Sequence, residues 1–244
     1  MSAALYLSGV GARARMSQLE TVANNLANSD TPGYKADEPL FSAALGMAIE
    51  GERGRRYDGA LQFVGTPETH VRHDTGPVVR TGRTLDVAIQ GAGFFLVQTP
   101  EGIRYTRSGA FAVNEAGQLA GPGGHALLGA SGPIAVGAGG VRVERDGTVV
   151  SDAGAQLGRL QIEEFLEPEK LQKRGESLFE APLELVGLPV EAPQLEVASL
   201  EQANVKPVGE LAKLLILQRA FDASMQSLSA DDRASGRLME ELSR

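Results

Sequence analysis

Residues 85–99 read Leu85-Asp86-Val87-Ala88-Ile89-Gln90-Gly91-Ala92-Gly93-Phe94-Phe95-Leu96-Val97-Gln98-Thr99. Leu85, Val87 and Ile89 recur at every second position, which places their side chains on one face of a β-strand. Gly91 and Gly93 are typical of a tight turn, and the segment from Phe94 to Thr99 has the composition of a second strand. We therefore predict two successive strands joined by a short turn.

The side chains around this turn have different expected environments. Phe94, Phe95 and Phe111 are expected in the core of the β-structure. Asp86 alternates with the apolar residues, so its side chain points to the opposite face of the strand. Its carboxylate either faces solvent or holds a turn or a subunit contact, and the sequence leaves these alternatives open.

The same pattern extends from about Leu61 to about Leu200. Of the 30 glycines in the chain, 17 lie between Gly82 and Gly158, where they separate short alternating segments. Further strands are predicted at Arg104–Thr106, Phe111–Val113, Ala126–Leu128, Val141–Glu144, Thr148–Ser151 and Arg159–Phe165. Because the turns are short and no helical run is long enough for a crossover connection, we expect a mainly antiparallel β domain.

The N-terminal end has a different period. Apolar or small residues recur there at alternating steps of four and three, at Leu5, Gly9, Ala12, Met16, Leu19, Ala23 and Leu26. This spacing predicts a helix from about Ala3 to Asn28 with one apolar stripe. Pro32 and Gly33 supply the turn that ends it.

The C-terminal end repeats the three-four spacing from Leu211 to Leu242, with polar interruptions at Gln218, Asp232 and Ser235. Pro207 suits the first position of a helix, so a second helix is predicted from there to about Leu242. The predicted fold class is α+β, in which long N- and C-terminal helices form a coiled-coil-like module and a mainly antiparallel β domain is inserted between them. The predicted boundaries are 1–35 for the N-terminal helix, 36–60 for a linker, 61–200 for the β domain and 201–244 for the C-terminal helix.

A narrow apolar stripe cannot be buried by the helix that carries it. Two arrangements would bury the terminal stripes. In the first, the helices form an ordinary intramolecular hairpin packed on the β domain; in the second, they pack against other copies of the chain. The second arrangement predicts terminal segments that fold only on assembly.

Composition excludes several classes of protein. The 244-residue chain has a formal net charge of −8, which argues against sequence-independent nucleic-acid binding because that needs a positive contact surface. The absence of cysteine excludes disulfides and thiolate metal sites. The first 30 residues lack the apolar core of a cleaved signal peptide and the length of a membrane span, so any export would use a route that does not read such a signal.

Three motifs resemble the rod and hook family of the bacterial flagellar basal body. The first runs from Val22 to Asn28 and then from Thr31 to Lys35. The second comprises Thr81 to Phe95 and Tyr105 to Phe111. The third comprises Leu200 to Val205 and Gln218 to Phe221. Within the family, the chain length and the segments 85–88 and 204–208 are most similar to proximal rod proteins, and distal rod proteins are the alternative.

The resemblance implies a structural, non-enzymatic subunit. Members of this family pack their terminal helices into the inner wall of a hollow helical tube that spans the periplasm and transmits torque, with the β domain outside. They are exported by the flagellar type III apparatus without a cleaved signal. The implied partners are other rod proteins, copies of the same chain and the export apparatus, with no cofactor, no nucleic acid and no membrane span.

The predicted assembly interface follows from the stripes and the motifs together. Small residues on a stripe let helices approach closely, large apolar residues supply buried area, and asparagine amides can fix the register of a packed helix. For Asn28, simple capping of the helix is an equally good interpretation. The expected interface residues are Leu5, Ala12, Met16, Leu19, Ala23, Asn24, Asn25, Leu26, Asn28, Asn204, Val208, Leu211, Leu214, Gln218, Arg219, Phe221, Met225 and Leu228.

Two other classes of function compete with this interpretation. His70, His73 and Asp74 have a spacing that could bind a metal ion, although only His125 remains elsewhere to complete a site. The second competitor is a secreted coiled-coil adaptor or adhesin, which would form closed oligomers. Zinc titration and the oligomeric state of the isolated chain would distinguish these classes from a rod subunit.

Overall fold

A computed structural model describes residues 3–40, 68–137 and 139–242. Side-chain environments are described within residues 13–39, 69–137 and 139–229. The predicted linker therefore lies outside the described residues from residue 41 onward. The predicted boundaries at residues 35, 60 and 200 stay predictions.

The described chain begins with helix α1 (Ala3–Ala27) and ends with helix α2 (Pro207–Leu242). The strands between them are β1 (Asp37–Leu40), β2 (Glu68–Val71), β3 (Val78–Arg80), β4 (Val87–Ile89), β5 (Phe94–Thr99), β6 (Gly102–Thr106), β7 (Ala112–Val113), β8 (Leu119–Ala120), β9 (Ala126–Gly129), β10 (Gly132–Pro133), β11 (Val141–Val143), β12 (Thr148–Ser151), β13 (Gln156–Arg159), β14 (Ile162–Glu164), β15 (Gln172–Lys173), β16 (Leu178–Glu180), β17 (Leu188–Pro189), β18 (Leu195–Val197) and β19 (Ser199–Glu201). Single 3₁₀ turns lie at Pro122–Gly124 and Pro168–Lys170.

These elements form two compact units. The described part of the helical unit consists of residues 3–27, 37–40, 68–70 and 206–242. The described part of the β unit consists of residues 28–36, 71–137 and 139–205. The segment 28–36 thus belongs to the β unit although it directly follows α1 in the chain.

The largest sheet of the β unit has ten strands, and β5 is at its centre. The main path is β15-β16-β6-β5-β9-β8-β7, while β14 also pairs with β5 and β17, and β10 pairs with β9. All described pairings within it are antiparallel, and Leu96 lies opposite Tyr105 in the β5–β6 ladder. The predicted strands at 94–99, 104–106 and 126–128 are confirmed within a residue or two of their observed bounds.

The remaining described strands form four smaller sheets. The strands β11, β12 and β13 form an antiparallel three-stranded sheet. β18 pairs with β4, and β19 pairs with β3, so residues 195–201 lie against residues 78–89. β1 and β2 form a two-stranded sheet.

Two hydrophobic clusters form the core of the β unit. The larger contains Phe95 and Phe111, whose rings meet edge-on with centroids 4.9 Å apart. The smaller contains Phe94, Phe165 and Phe179. Because adjacent residues of a strand point to opposite faces, Phe94 and Phe95 anchor β5 in both clusters. The prediction that Phe94, Phe95 and Phe111 are core residues is confirmed.

The predicted fold class, with its coiled-coil-like module, is wrong. The described residues form a β-rich protein with two α-helices and 19 strands. The helices contact each other in the helical unit, where Nη1 of Arg15 donates a hydrogen bond of 2.8 Å to Oγ of Ser224. The predicted apolar stripe is not the surface of contact, because Met16, Leu211 and Met225 are about half exposed.

On α2 the partly buried side chains have a different spacing along the helix from the predicted apolar stripe. They include Leu214, Leu217, Phe221 and Ser224, whereas the predicted stripe had positions 211, 214, 218, 221 and 225. Residues 214–217 are Leu-Leu-Ile-Leu, so several three-four stripes can be drawn through the same apolar run. The spacing alone does not select the face that becomes buried. Neither helix has, in its described part, the apolar length required to cross a membrane.

Candidate assembly interface

The sequence motifs meet around one buried carboxylate, that of Glu201 in β19. Nζ of Lys35 lies 2.6 Å from Oε1 of Glu201, and Nε of Arg107 lies 2.8 Å from Oε2. The backbone N–H of Gly76 donates a third hydrogen bond, of 3.0 Å, to Oε1. All three ionised side chains are buried. We call Lys35, Arg107, Glu201 and the neighbouring Asn204 the buried anchor.

Lys35 attaches the segment after α1 to the β unit. Its ammonium also donates a hydrogen bond of 2.8 Å to the carbonyl oxygen of Asp74. Burial lowers the pKa of Lys35 from its ordinary value, while the charge and hydrogen bond of Glu201 act in the opposite direction. Lysine side chains are normally exposed. The burial of Lys35 therefore indicates that this side chain has a structural role.

Arg107 holds the turn that the sequence predicted between β4 and β5. Its Nη2 donates hydrogen bonds to the carbonyl oxygens of Gly91 at 2.6 Å and Ile89 at 3.3 Å, and its Nη1 donates to that of Gly93. The planar guanidinium has five donors in fixed directions. It can therefore bind the Glu201 carboxylate and three backbone carbonyls at once.

Asn204 closes the anchor on its other side through its side-chain amide. Oδ1 accepts a hydrogen bond of 2.7 Å from the backbone N–H of Ala36. Nδ2 donates to the carbonyl oxygens of Arg72 and Asp74 at 2.7 and 3.1 Å. This predicted interface residue is buried, and its amide joins three separate segments of the β unit.

Two glycines permit the close approach of the motifs. Gly33 has a φ of 68°, and a Cβ there would lie 2.3 Å from the backbone nitrogen of Ser108. A Cβ on Gly109 would lie 1.6 Å from the carbonyl oxygen of Val87. Backbone thus packs directly on backbone at both positions, which only glycine allows.

Asp86 forms a second buried ionic group. Its carboxylate accepts hydrogen bonds from Oγ1 of Thr81 at 2.6 Å and from Nε of Arg83 at 3.1 Å. Of the alternatives left open by the sequence, Asp86 therefore holds the turn before β4. The solvent-facing alternative is wrong, because Asp86 is almost completely buried.

The predicted interface residues of α1 fall into different environments. Met16, Ala23 and Asn24 are exposed, and Leu19 and Leu26 are partly buried. The helical positions of Leu5 and Ala12 are described, but their side chains are not.

The two remaining predicted residues near the end of α1 make local contacts. Asn25 is buried and pairs with the backbone of Asp37, since its Nδ2 donates to the carbonyl oxygen at 2.8 Å and its Oδ1 accepts from the N–H at 2.9 Å. Asn28 lies in the turn after the helix, where its Oδ1 accepts a hydrogen bond of 3.3 Å from Oγ1 of Thr31. Both amides stabilise the chain that follows α1.

On α2 the exposed apolar residues form a face of their own. Val208, Leu211 and Leu215 lie within about 60° of one another around the helix, and Val208 and Leu215 have 81 and 56% of their surface exposed. Ile216 is 67% exposed beside them. We call these four residues the α2 face. The apolar run 214–217 indicated Leu215 and Ile216 as candidate interface residues. The three-four spacing did not include them.

The other predicted residues of α2 do not share this face as a group. Gln218, Arg219 and Met225 are exposed, whereas Leu214 and Phe221 are partly buried. The side chain of Leu228 lies outside the described side chains. The structure thus brings together only Val208 and Leu211 of the predicted set on the α2 face.

Comparison with known protein families covers the three motif regions. Residues 5–35 match the model described as flagella basal body rod protein. Residues 88–157 match flagellar hook protein FlgE/F/G D1 domain, and residues 197–241 match flagellar basal body rod FlgEFG protein C-terminal.

Individual relatives match over nearly the full length. The flagellar basal-body rod protein FlgF of Caulobacter vibrioides is 30% identical, with 99% of this chain and 98% of the relative covered. The FlgF protein of Escherichia coli K12 is 31% identical over 100 and 99% of the two chains. The FlgG protein of Agrobacterium fabrum is 31% identical over 95 and 97%.

The chain belongs to the flagellar basal-body rod protein family. It is a structural subunit of the rod. Each of the three matched regions of this rod protein contributes to the buried anchor: Lys35 lies in the first, Arg107 in the second, and Glu201 and Asn204 in the third.

One residue of the competing metal-site hypothesis, His73, lies among aromatic rings. His73 packs against the rings of Phe94 and Phe179, with centroid distances of 5.9 and 5.5 Å. Within residues 3–40, 68–137 and 139–242, no group of three or more histidine, aspartate or glutamate residues is placed to hold a metal ion.

Proposed function

We propose that this rod protein is a subunit of the proximal rod, exported by the flagellar type III apparatus and built into the part of the rod that spans the periplasm. Relatives named FlgF support the proximal position, since the proteins of Caulobacter vibrioides and Escherichia coli align over at least 98% of both chains. The subunit is structural and carries out no catalysis. The distal rod is the second candidate, because FlgG of Agrobacterium fabrum has a comparable identity of 31%.

The α2 face is the observation that carries the assembly role. Val208, Leu211, Leu215 and Ile216 expose a continuous apolar surface on a helix, and such surfaces mark protein–protein contacts. Burial of each large aliphatic side chain contributes about 1.5–3 kcal/mol. In our proposal the terminal helices of neighbouring rod subunits cover the α2 face. The other predicted interface residues, including Met16, Leu19 and Leu228, stay predictions.

Electron microscopy of basal bodies from a strain that lacks this chain tests the position in the rod. A proximal subunit is needed before the distal segment can be added, so we expect basal bodies without any distal rod and without a hook. A distal subunit would instead leave a short rod in place. The second result would replace the proximal assignment with the distal one.

A substitution on α2 tests the role of the exposed face. Leu215→Asp places a carboxylate on the α2 face, and we expect this variant to be absent from purified rods because the buried charge would have no partner. Val113→Asp is the matched control, since Val113 is an exposed apolar residue of the β unit. The two variants would be compared by immunoblotting of purified basal bodies and by circular dichroism. Incorporation of folded Leu215→Asp at the level of the control would contradict the proposed contact.

A further inference from the structure

The chain crosses the boundary of the β unit at three places beyond the end of α1. These crossings lie after Ala36, before Val71 and after Val205. The residues beside them are distant in sequence, since Ala36 and Asn204 are 168 positions apart. They nevertheless meet inside the β unit.

Each of the three crossings is hydrogen-bonded to both of the others. The backbone N–H of Arg72 donates a bond of 2.8 Å to the carbonyl oxygen of Ala36. The side chain of Asn204 accepts a bond of 2.7 Å from the N–H of Ala36 and donates one of 2.7 Å to the carbonyl oxygen of Arg72. These bonds close a triangle. We call Ala36, Arg72 and Asn204 the three-way clamp.

The backbone of Asn204 holds the same two neighbouring segments. Its N–H donates a bond of 3.3 Å to the carbonyl oxygen of Tyr34, and its carbonyl oxygen accepts one of 2.5 Å from Nη2 of Arg72. Its Nδ2 also donates to the carbonyl oxygen of Asp74 at 3.1 Å. A side-chain amide supplies both the acceptor and the two donors that this position uses. Asn204 is therefore the central residue of the clamp.

The three-way clamp is shielded from water, which links its bonds to one another. Ala36 is 5% and Asn204 7% exposed. A buried polar group that loses its partner cannot be hydrated in place, and this costs more free energy than the bond itself contributes. Breaking one side of the triangle would therefore leave unsatisfied groups on the other segments. The favoured states are one with every bond made and one in which all three crossings are open to solvent.

The bonds of the triangle lie outside the ten-stranded sheet. Ala36, Arg72 and Asn204 belong to none of its strands, whereas β5 is anchored in both hydrophobic clusters by Phe94 and Phe95. Parts of a protein that are joined mainly by hydrogen bonds open at a lower free energy than its apolar core. The clamp can therefore open while the sheet stays folded.

We propose that the three-way clamp is a conformational device in which the three crossings open and close as one unit. Asn204 couples them, and the ten-stranded sheet does not take part in the motion. Opening releases together the segments through which the chain enters and leaves the β unit. This inference goes beyond the assembly role, because it concerns a motion within one subunit and not a contact between subunits.

Hydrogen exchange at single amides, measured by NMR on the full-length chain, tests the coupled motion. Asn204→Ala removes the side-chain bonds of the clamp. Asn114→Ala is the matched control, because Oδ1 of Asn114 likewise accepts hydrogen bonds from backbone N–H groups, in a turn of the β unit. In Asn204→Ala we expect the N–H groups of Ala36 and Arg72 to exchange at least about tenfold faster. The amides of the β5–β6 ladder should keep their rates, and the control should change neither group.

The N–H of Arg72 gives the decisive result, because its acceptor is the carbonyl oxygen of Ala36 and not the side chain of Asn204. Asn204→Asp is a second variant, which keeps an acceptor for the N–H of Ala36 but has no donor. The same two amides should exchange faster in it, and it serves as the test if Asn204→Ala does not fold.

Several results would overturn the proposal. Faster exchange at Ala36 alone would show that the crossings are held separately. Equal acceleration in the β5–β6 ladder, or loss of the sheet in both variants, would show that Asn204 acts only on the stability of the whole unit. Unchanged exchange at both amides would show that Asn204 does not hold the crossings.

Discussion

At the scale of single residues, Glu201 organises the β unit. Its carboxylate binds two buried cations, Lys35 and Arg107, and one backbone N–H. Attraction between buried charges offsets their loss of hydration only when every partner is present. The stability of this site therefore depends more on the presence of every partner than on the strength of any single contact.

Replacing this carboxylate by an amide of the same shape tests that dependence. Glu201→Gln would leave Lys35 and Arg107 buried without an anion, and we expect the free energy of unfolding to fall by about 3–5 kcal/mol. Urea denaturation followed by circular dichroism measures the change. Glu164→Gln is the control at an exposed position and should change the free energy by less than about 0.5 kcal/mol. Equal midpoints for the two variants would contradict the assigned role of Glu201.

Tyr105 gives the β unit a pH dependence. Its hydroxyl donates a hydrogen bond of 3.1 Å to Oε2 of Glu163, and burial, together with the charge of Glu163, raises the pKa of Tyr105 to about 12. A group whose pKa is higher in the folded state than in the unfolded state contributes stability that is lost as the pH rises between the two values. The window here runs from the ordinary value of 10.0 to about 12.

We therefore expect the free energy of unfolding of the natural chain to fall relative to that of Tyr105→Phe above pH 10. Phenylalanine keeps the ring but has no group that titrates, so the comparison isolates the hydroxyl from other alkaline effects. Denaturation curves of both proteins at pH 8, 9, 10 and 11 give the measurement. A difference that stays constant across this range would show that Tyr105 titrates normally.

The residues of the anchor could be picked out by their motifs but not paired from the sequence. Glu201 is 166 positions from Lys35 and 94 positions from Arg107, and local periodicity has no information about contacts at such separations. Asn204 was included in the predicted interface with the third motif, and that role stays a prediction. In the structure its side-chain amide hydrogen-bonds to the backbone of Ala36 and Arg72.

At the scale of elements, the strands were more predictable than the buried faces of the helices. Alternation and glycine turns fix a strand and its faces together, since a shift by one residue moves every apolar side chain to the other side. β4 and β5 accordingly lie within the predicted segments. On α2, four consecutive apolar residues at 214–217 are compatible with more than one helical stripe. The sequence therefore predicted the helix but not the face that becomes buried.

The turn after α1 yields a test at this scale. Gly33→Ala would combine a positive φ with a Cβ only 2.3 Å from the backbone of Ser108, so backbone would have to move. Gly82→Ala is the matched control, because Gly82 has a φ of 80° and nothing within 4 Å of the added Cβ. We expect Gly33→Ala to lower the free energy of unfolding by at least about 2 kcal/mol more than Gly82→Ala. Equal effects in urea denaturation would mean that the approach of Ser108 does not constrain this turn.

At the scale of the whole molecule, the β unit begins at the residue that follows the end of α1. Residues 28–36 belong to the β unit, where the N–H of Gly33 donates a hydrogen bond of 2.8 Å to the carbonyl oxygen of Glu201. Exposed apolar side chains occur on both units, for example those of Leu215 and Ile216 on α2 and those of Leu166 and Leu183 in the β unit.

Two truncations distinguish the contribution of this segment from that of α1. Removal of residues 1–28 keeps Gly33 and Lys35, and we expect a β unit that unfolds at the same urea concentration as that of the full chain. Removal of residues 1–36 takes away Lys35 and leaves Glu201 with Arg107 alone, so its unfolding free energy should be lower by several kcal/mol. Circular dichroism during urea titration gives both values. Equal stability of the two truncated proteins would show that the segment 28–36 does not stabilise the β unit.

The buried anchor also determines when the chain can fold. Lys35 is made early in synthesis, but its counter-ion at position 201 appears only after 166 further residues have been added. Contacts this distant in sequence make folding slow compared with local structure. A growing chain therefore keeps an incomplete β unit through most of its synthesis.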